Sequence, residues 1–167
     1  MALKEIYDHP YFHGLLSDEE VYNLCREELT KTGKKTVDVW HLTEINGELH
    51  GRSSFGIIRS FGPNSGTFGL SHFCNSLDKI HEWMFCRGIS QHLLENTYIK
   101  RKNPPKLGEL ARIATLDSFV DYCCLKNLIQ RIDELQIPTT EKEELKKLVR
   151  GFKVLLASKI PNEQRCK

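Results

Sequence analysis

The 167-residue chain has little that would place it in a membrane, in an oxidising compartment or on nucleic acid. No apolar run approaches the roughly 20 residues that a membrane-spanning helix needs. Lys and Arg together number 24 against 22 Asp and Glu, and the resulting net charge of +2 is too balanced to indicate nucleic acid as the main ligand. The six cysteines form no Cys-x-x-Cys pair, and the first residues carry neither a basic nor an apolar signal segment. These features predict a reduced, cytoplasmic protein that binds neither a membrane nor nucleic acid.

Residue patterns that support catalysis or bind cofactors are also scarce. The seven histidines lack metal-ligand spacing, and the nearest case, His9 with His13, straddles Pro10, which disfavours the helix that would bring the two rings together. There is no glycine-rich phosphate loop, and no cysteine is flanked by residues that would build an oxyanion hole. We therefore expect a non-catalytic protein without a metal or another cofactor.

The first half of the chain carries clear helix, strand and turn signals. Ser17 and Glu20 form a capping box, which predicts a helix from that point to about Leu29, and Gly33 with its flanking lysines is expected to end it. Residues 36–45 are β-branched and aromatic with polar residues interleaved, which is typical of a strand. Asn46-Gly47 follows directly and is the dipeptide most typical of a tight hairpin turn.

Further strand patterns and a second helix pattern follow. Residues 54–60 and 67–73 each predict a strand, residues 77–87 predict a helix, and residues 93–99 predict a last short strand. Two prolines then separate this unit from the rest of the chain. The pattern predicts an α+β fold, an antiparallel sheet flanked by two helices.

Three segments of this unit resemble a Src-homology-2 domain. Tyr-Phe-His-Gly at 11–14, running into the first helix, resembles the Trp-Tyr-His-Gly opening of that fold. Residues 65–70 are similar to its Gly-Lys-Phe strand, and residues 73–83 to its second helix. The resemblance implies a divergent domain of this type over residues 9–103, which would bind an unidentified protein target, with or without tyrosine phosphorylation.

Phosphotyrosine recognition in that family depends on an arginine in a Phe-Leu-Val-Arg strand, because a planar guanidinium holds phosphate through two charge-assisted hydrogen bonds. That tetrapeptide is missing here; one alignment places His41 at the arginine's position, and another deletes most of the strand. The family's histidine and lysine on the next strand fall at about Ser54 and Gly56. A histidine inside an apolar strand is more often a hydrogen-bonded structural group than a proton-transfer group. The candidate residues for a substitute phosphate or peptide site are Lys34, Lys35, His41, Arg52 and Arg59.

Two amphipathic helix patterns follow residue 105, separated by a linker and a Leu-Gln-Ile-Pro element. The first has an apolar stripe at spacing i, i+3, i+4, i+7, formed by Leu107, Leu110, Ala111 and Ala114. The second repeats the pattern at Leu145, Leu148 and Val149, after a Thr140–Glu143 capping box.

This segment resembles a suppressor-of-cytokine-signalling box. In that family a Leu-x-x-x-Cys/Ala helix binds elongin C, and a Leu-Pro-Φ-Pro element recruits a cullin. Leu107 and Ala111 match the first signature, so the resemblance implies an elongin site at the stripe just described. Leu135, Ile137 and Pro138 match the second, although Gln136 replaces its first proline. The implied unit is a small all-helical appendage over residues 104–157.

The two resemblances together imply a non-catalytic substrate receptor of an elongin–cullin ubiquitin ligase, with elongin B, elongin C and a cullin as partners. The alternative is a signalling adaptor that binds (phospho)peptides and has no link to a ligase. The two differ in whether the helix face at Leu107 and Ala111 is open to a partner or covered by the chain's own Leu125, Leu128 and Ile132.

Overall fold

The structure is a computed structural model that describes residues 3–59, 62–63, 65–75, 90–119 and 125–151. The described residues form a four-stranded mixed sheet and six helices, so the predicted α+β class is confirmed. In chain order the elements are α1 (Leu3–Asp8), β1 (Phe12–Leu15), α2 (Asp18–Thr32), β2 (Thr36–Ile45), β3 (Glu48–Ile58), β4 (Phe68–Asn75), α3 (Gln91–Thr97), α4 (Leu107–Ser118), α5 (Leu125–Glu134) and α6 (Thr139–Gly151).

The sheet has the strand order β1-β2-β3-β4 and is not wholly antiparallel. β2, β3 and β4 pair antiparallel, as predicted. β1 instead runs parallel to β2, with Phe12 beside Trp40 and Leu15 beside Leu42. The reason is the connection: α2 forms the crossover between β1 and β2, and such a crossover brings the chain back in the same direction.

The β2–β3 hairpin follows the predicted turn. Asn46 and Gly47 have φ values of 52° and 77°, the two positive angles of a type I′ turn. Because this turn pairs Ile45 directly with Glu48, β3 begins six residues before the predicted start at residue 54.

α2 begins and ends at the predicted signals. The Ser17 Oγ accepts the Glu20 N–H at 3.2 Å, and the Glu20 carboxylate accepts the Ser17 N–H at 2.7 Å. The helix ends where Gly33 adopts φ 67°. Its buried face packs on β2 and forms the smaller of two hydrophobic cores.

Two sequence predictions after β4 are wrong, and one lies outside the described residues. Residues 93–99 were expected to form a strand, but Ser90 caps a helix there by accepting the Leu93 N–H, and only Tyr98 pairs with the sheet, beside Asp38. The expected linker between the two C-terminal helices contains a third helix, α5. The predicted helix at 77–87 lies outside the described residues.

The larger hydrophobic core joins the sheet to the C-terminal helices. Trp40 and Leu42 of β2 share one buried cluster with residues of α1, α4, α5 and α6. Residues on both sides of the predicted 103/104 boundary therefore pack around the same core, and the division into two domains stays a prediction. None of the described helices is long and apolar enough to cross a membrane.

Candidate functional site

α4 packs with a different stripe from the one predicted by its spacing. Ile113 and Leu116 are buried in the larger core, and Leu110 is half-buried against it. Leu107 is 83% exposed, and Ala111 and Ala114 are also exposed. The predicted elongin stripe is thus divided: Leu110 turns toward the core, while the other three residues form an outward surface, here called the docking face.

The docking face is smooth around its single large side chain. A Cβ placed on Gly108 would meet no atom within 4 Å, so the first turn of α4 is open to solvent on that side. Small residues at such positions let a partner approach the helix backbone closely. The docking face therefore presents one protruding leucine beside a shallow surface.

Three polar contacts fix the rotation of α4. The Glu109 carboxylate accepts the Leu15 N–H of β1 at 3.1 Å. Arg112 donates two hydrogen bonds to Glu141 of α6, at 2.9 and 3.0 Å. The Asp117 carboxylate accepts the backbone N–H of Lys4 at 3.0 Å. Because these contacts lie on three different elements, they hold the docking face away from the core.

The chain's own apolar residues from α5 do not cover the docking face where they are described. Leu128 and Ile132 are buried in the same cluster as Ile113 and Leu116, on the inward side of α4. The side chain of Leu125 lies outside the described residues.

The predicted cullin residues lie in the short connection between α5 and α6. Leu135 is half-buried and packs against the larger core, while Ile137 is 36% exposed and Pro138 is exposed. The Pro138 carbonyl accepts the Lys142 N–H at 3.1 Å, so α6 begins one residue before the predicted cap at Thr140. The connection thus presents Ile137 and Pro138 outward.

A second candidate site lies on the α2-facing side of the sheet and is here called the polar cluster: Asp18, His41, Arg52, Ser54 and His72. The strand pairs His41–Arg52 and Ser54–His72 place the four sheet residues on one face. Of these, sequence reasoning had singled out His41 and Arg52 as candidates and missed Asp18 and His72.

The histidines of the polar cluster form a directed chain of hydrogen bonds. His41 Nδ1 lies 2.9 Å from the Leu42 carbonyl, so this nitrogen must carry the proton and donate it. His41 Nε2 then accepts the Ser54 hydroxyl at 2.7 Å, and Ser54 Oγ in turn accepts the His72 Nδ1–H at 2.8 Å. Burial is the main cause that lowers the pKa of His41 to about 4; the hydrogen bond to Leu42 opposes it and the nearby Arg52 charge adds to it, so the ring is neutral at pH 7. The expectation of a hydrogen-bonded structural histidine is confirmed.

Arg52 is the buried cation of the polar cluster. Its side chain is 11% exposed, and its Nη1 donates to the Asp18 carboxylate at 2.7 Å, whereas the Asp18 side chain is 72% exposed. Among the described residues, the buried Nε of Arg52 has no hydrogen-bond partner. The guanidinium therefore has hydrogen-bonding capacity that the protein does not use.

The other three candidates for a phosphate site do not join the polar cluster. Lys35 and Arg59 lie near the opposite end of the β2–β3 hairpin, where the Lys35 carbonyl accepts the Ile58 N–H. Six residues of strand separate Lys35 from His41, which is about 20 Å. Lys34 donates to the Glu95 carbonyl at 3.0 Å. The predicted set is thus split between the middle of the β2–β3 hairpin, where His41 and Arg52 pair, and its open end.

Among the described residues, no three His, Cys, Asp or Glu side chains are grouped so as to hold a metal ion. No protein-family model matches the chain, and no curated protein or solved structure matches it either.

Proposed function

We propose that the protein is a non-catalytic substrate receptor of an elongin–cullin ubiquitin ligase. In this proposal residues 104–157 act as a suppressor-of-cytokine-signalling-like box, and residues 9–103 act as a divergent Src-homology-2-like domain that holds a target in the cytoplasm. The observation that carries the proposal is the exposure of Leu107 at the start of α4, with Ala111 and Ala114 on the same open face.

The docking face has the form that a helix-in-pocket contact needs. A leucine that is 83% exposed can transfer almost its whole side chain into a partner, which contributes roughly 1.5–3 kcal/mol. The small residues beside it let the partner's backbone come close. The polar contacts of Glu109, Arg112 and Asp117 keep the helix in this orientation before binding, so little ordering is left for the binding step.

Cullin recruitment in this proposal is weaker than elongin binding. Ile137 and Pro138 face outward, but Leu135 is partly buried in the protein's own core. Gln136 in place of proline also leaves the backbone freer, and proline at a compatible site is worth about 0.4–1 kcal/mol.

Co-purification tests the elongin contact. The elongin B–elongin C pair is co-expressed with the wild-type chain, with Leu107→Ala and with Leu93→Ala. Leu93 is a matched control, since it is an exposed leucine, 47% exposed, on a different helix. We expect Leu107→Ala to weaken binding by about 30-fold, the equivalent of about 2 kcal/mol, and Leu93→Ala to bind as the wild type does.

Circular dichroism melting curves establish that all three proteins are folded. Equal capture of the two variants, or no capture of the folded wild type, would contradict the elongin proposal.

A second function, a (phospho)peptide adaptor without a ligase link, is favoured by the polar cluster. Arg52 is a largely buried guanidinium with an unused Nε, and His72 lies at the surface beside it. The Arg52 guanidinium offers donors for an anionic group, although the residue differs from the family's usual arginine. Phosphate-dependent peptide binding without any capture of elongins would favour this function over the first.

A further inference from the structure

We propose that Asp18 is a built-in competitor for the anion site at Arg52, an inference that rests on the second proposed function. In the form described here the Asp18 carboxylate occupies the position that the phosphate group of a ligand would take. The site is open to a phosphate monoester only when this carboxylate leaves.

The two partners of the ion pair differ strongly in their surroundings. The Arg52 side chain is 11% exposed and the Asp18 side chain 72% exposed, with 2.7 Å between Arg52 Nη1 and Asp18 Oδ1. An exposed carboxylate regains most of its hydration when it turns away. A buried guanidinium does not, so it requires another anion in its place. Another anion can therefore replace the Asp18 carboxylate, whereas Arg52 stays in place and keeps needing an anionic partner.

A phosphate monoester suits this guanidinium better than Asp18 does. Asp18 uses only one nitrogen of Arg52, and the buried Nε has no partner among the described residues. A phosphate dianion has three terminal oxygens and can accept from two nitrogens of the planar fork at once. In the place of Asp18 it would accept from both terminal nitrogens, Nη1 and Nη2, whereas Asp18 uses Nη1 alone.

The surroundings of the ion pair contain room for the exchange. His72 adds no donor, because its Nδ1–H is already given to Ser54 and burial, followed by Arg52, lowers its pKa and leaves the ring neutral. Asp18 borders an open groove of about 380 Å³ that is also lined by Lys106, Glu20 and Glu44. The displaced carboxylate thus has space to enter and one cation, Lys106, on the same groove.

The charge balance explains why the wild type should bind phosphate weakly. While the carboxylate is present, an incoming dianion must displace a tethered anion whose effective concentration is in the millimolar range or higher. Removing the charge of Asp18 removes the competitor and leaves Arg52 without a counter-ion. The same substitution therefore opens the position beside Arg52 and leaves its guanidinium without an anionic partner.

The test compares phenyl phosphate binding by the wild type, Asp18→Asn and Glu19→Gln, followed by isothermal titration and by the shift of the melting temperature. Glu19 is the matched control, because it is the neighbouring exposed acid in the first turn of α2 and makes the same contribution to the helix dipole. We expect Asp18→Asn to bind at least tenfold more tightly than the wild type, and Glu19→Gln to bind within about threefold of it.

A second variant and two probes separate the outcomes. Asp18→Ser gives the same comparison with a different neutral side chain if Asp18→Asn is not folded, and Asp18→Asn/Arg52→Gln should lose the gained affinity. Inorganic phosphate and phenyl phosphate distinguish a site for the phosphate group alone from one that also holds the ring. If the wild type, Asp18→Asn and Glu19→Gln bind equally well and Asp18→Asn/Arg52→Gln binds less, the site exists but Asp18 does not compete, which overturns this inference alone. If no folded variant binds, both the inference and the adaptor function are wrong.

Discussion

At the scale of single residues, Asp38 shows how burial in the sheet disfavours an ionised carboxylate. It lies near the start of β2, where its carboxylate accepts the Ser53 hydroxyl at 2.6 Å, and it pairs with Tyr98. Burial raises its pKa from 3.8 to about 6, and the hydrogen bonds from Ser53 and Val39 only partly offset this. The folded protein therefore holds this proton more tightly than the unfolded chain does.

The raised pKa predicts a gain in stability for Asp38→Asn. Because the folded-state pKa lies above the unfolded value, the contribution of Asp38 to stability is greatest below pH 3.8 and is lost as the pH rises through about 6. We expect Asp38→Asn to raise the free energy of unfolding at pH 7.5 by about 1–2 kcal/mol, less than the full shift would give, since the new amide must find an acceptor. Urea unfolding between pH 4 and 8 measures the difference between the two proteins, with the exposed Glu19→Gln as control. A difference that does not change across this range would rule out the assignment to Asp38.

Sequence reasoning could identify the role of His41 but not the partner of Arg52. An apolar strand around a histidine indicates burial, and a buried ring needs hydrogen bonds wherever they come from. The Arg52–Asp18 pair instead joins residues 34 apart in sequence, and it depends on where α2 lies across the sheet. The sequence alone could have placed Arg52 and Ser54 on the same face of the sheet as His41. The Asn46-Gly47 turn fixes the strand register, and side chains alternate between the two faces along each strand.

At the scale of elements, the contact between β1 and α4 ties the N-terminal strand to the helix of the docking face. Gly14 has φ 68°, and a Cβ there would lie 3.0 Å from the Glu109 carboxylate. That carboxylate also accepts the Leu15 N–H, so it cannot move aside without giving up a hydrogen bond. β1 and α4 can approach this closely because residue 14 is a glycine.

Gly14→Ala should destabilise the protein more than Gly33→Ala. Both glycines have positive φ, 68° and 67°, but a Cβ on Gly33 would meet nothing within 4 Å. Gly33→Ala should therefore lose only about 1 kcal/mol for the left-handed backbone. Gly14→Ala should lose about 1 kcal/mol more, because Glu109 must release Leu15. Chemical denaturation of both variants, with and without Glu109→Ala, measures the two parts. Equal losses for the two glycines would contradict the proposed contact.

Helices, strands and turns could be predicted from the sequence where a local signal determines them. They could not be predicted where tertiary packing determines which residues are buried or which structure forms. The Ser17 cap, the Gly33 end of α2 and the hairpin turn are local, and they appear as predicted. α4 carries two overlapping apolar stripes, one through Leu107 and one through Ile113, and packing against α1, β1 and α6 determines which turns inward. Residues 93–99 have strand-like composition, but the cap at Ser90 starts a helix instead.

At the scale of the whole molecule, the larger core makes the sheet depend on the C-terminal helices. Trp40, Leu42 and Leu49 are buried in one cluster with Ile113, Leu128 and Leu145. Without those helices, one face of the sheet would expose large side chains to water. The predicted boundary at 103/104 therefore crosses a region of continuous packing.

A chain shortened to residues 1–103 should fail to fold cooperatively. Burying each of the large side chains is worth roughly 1.5–3 kcal/mol, and losing three or more of these contributions is comparable to the roughly 5–15 kcal/mol by which domains are usually stable. We expect a broad thermal transition and binding of a hydrophobic dye, whereas full-length Leu107→Ala, altered only on the docking face, should melt cooperatively. A sharp, reversible transition of the shortened chain would instead support residues 9–103 as an independent domain.

The contact between α1 and α4 sets an order of events during synthesis on the ribosome. The Lys4 backbone is bound by Asp117, 113 residues later, and Ile6 and Tyr7 are buried in the core that α4 helps to close. At about 5–20 residues per second, roughly 6–23 seconds pass between translation of the two segments. During that interval α1 has no native partner on α4, although the strand hairpin can already pair. α1 is therefore locked in place late, although it is translated before the sheet, and its apolar residues stay available to chaperones until α4 has emerged.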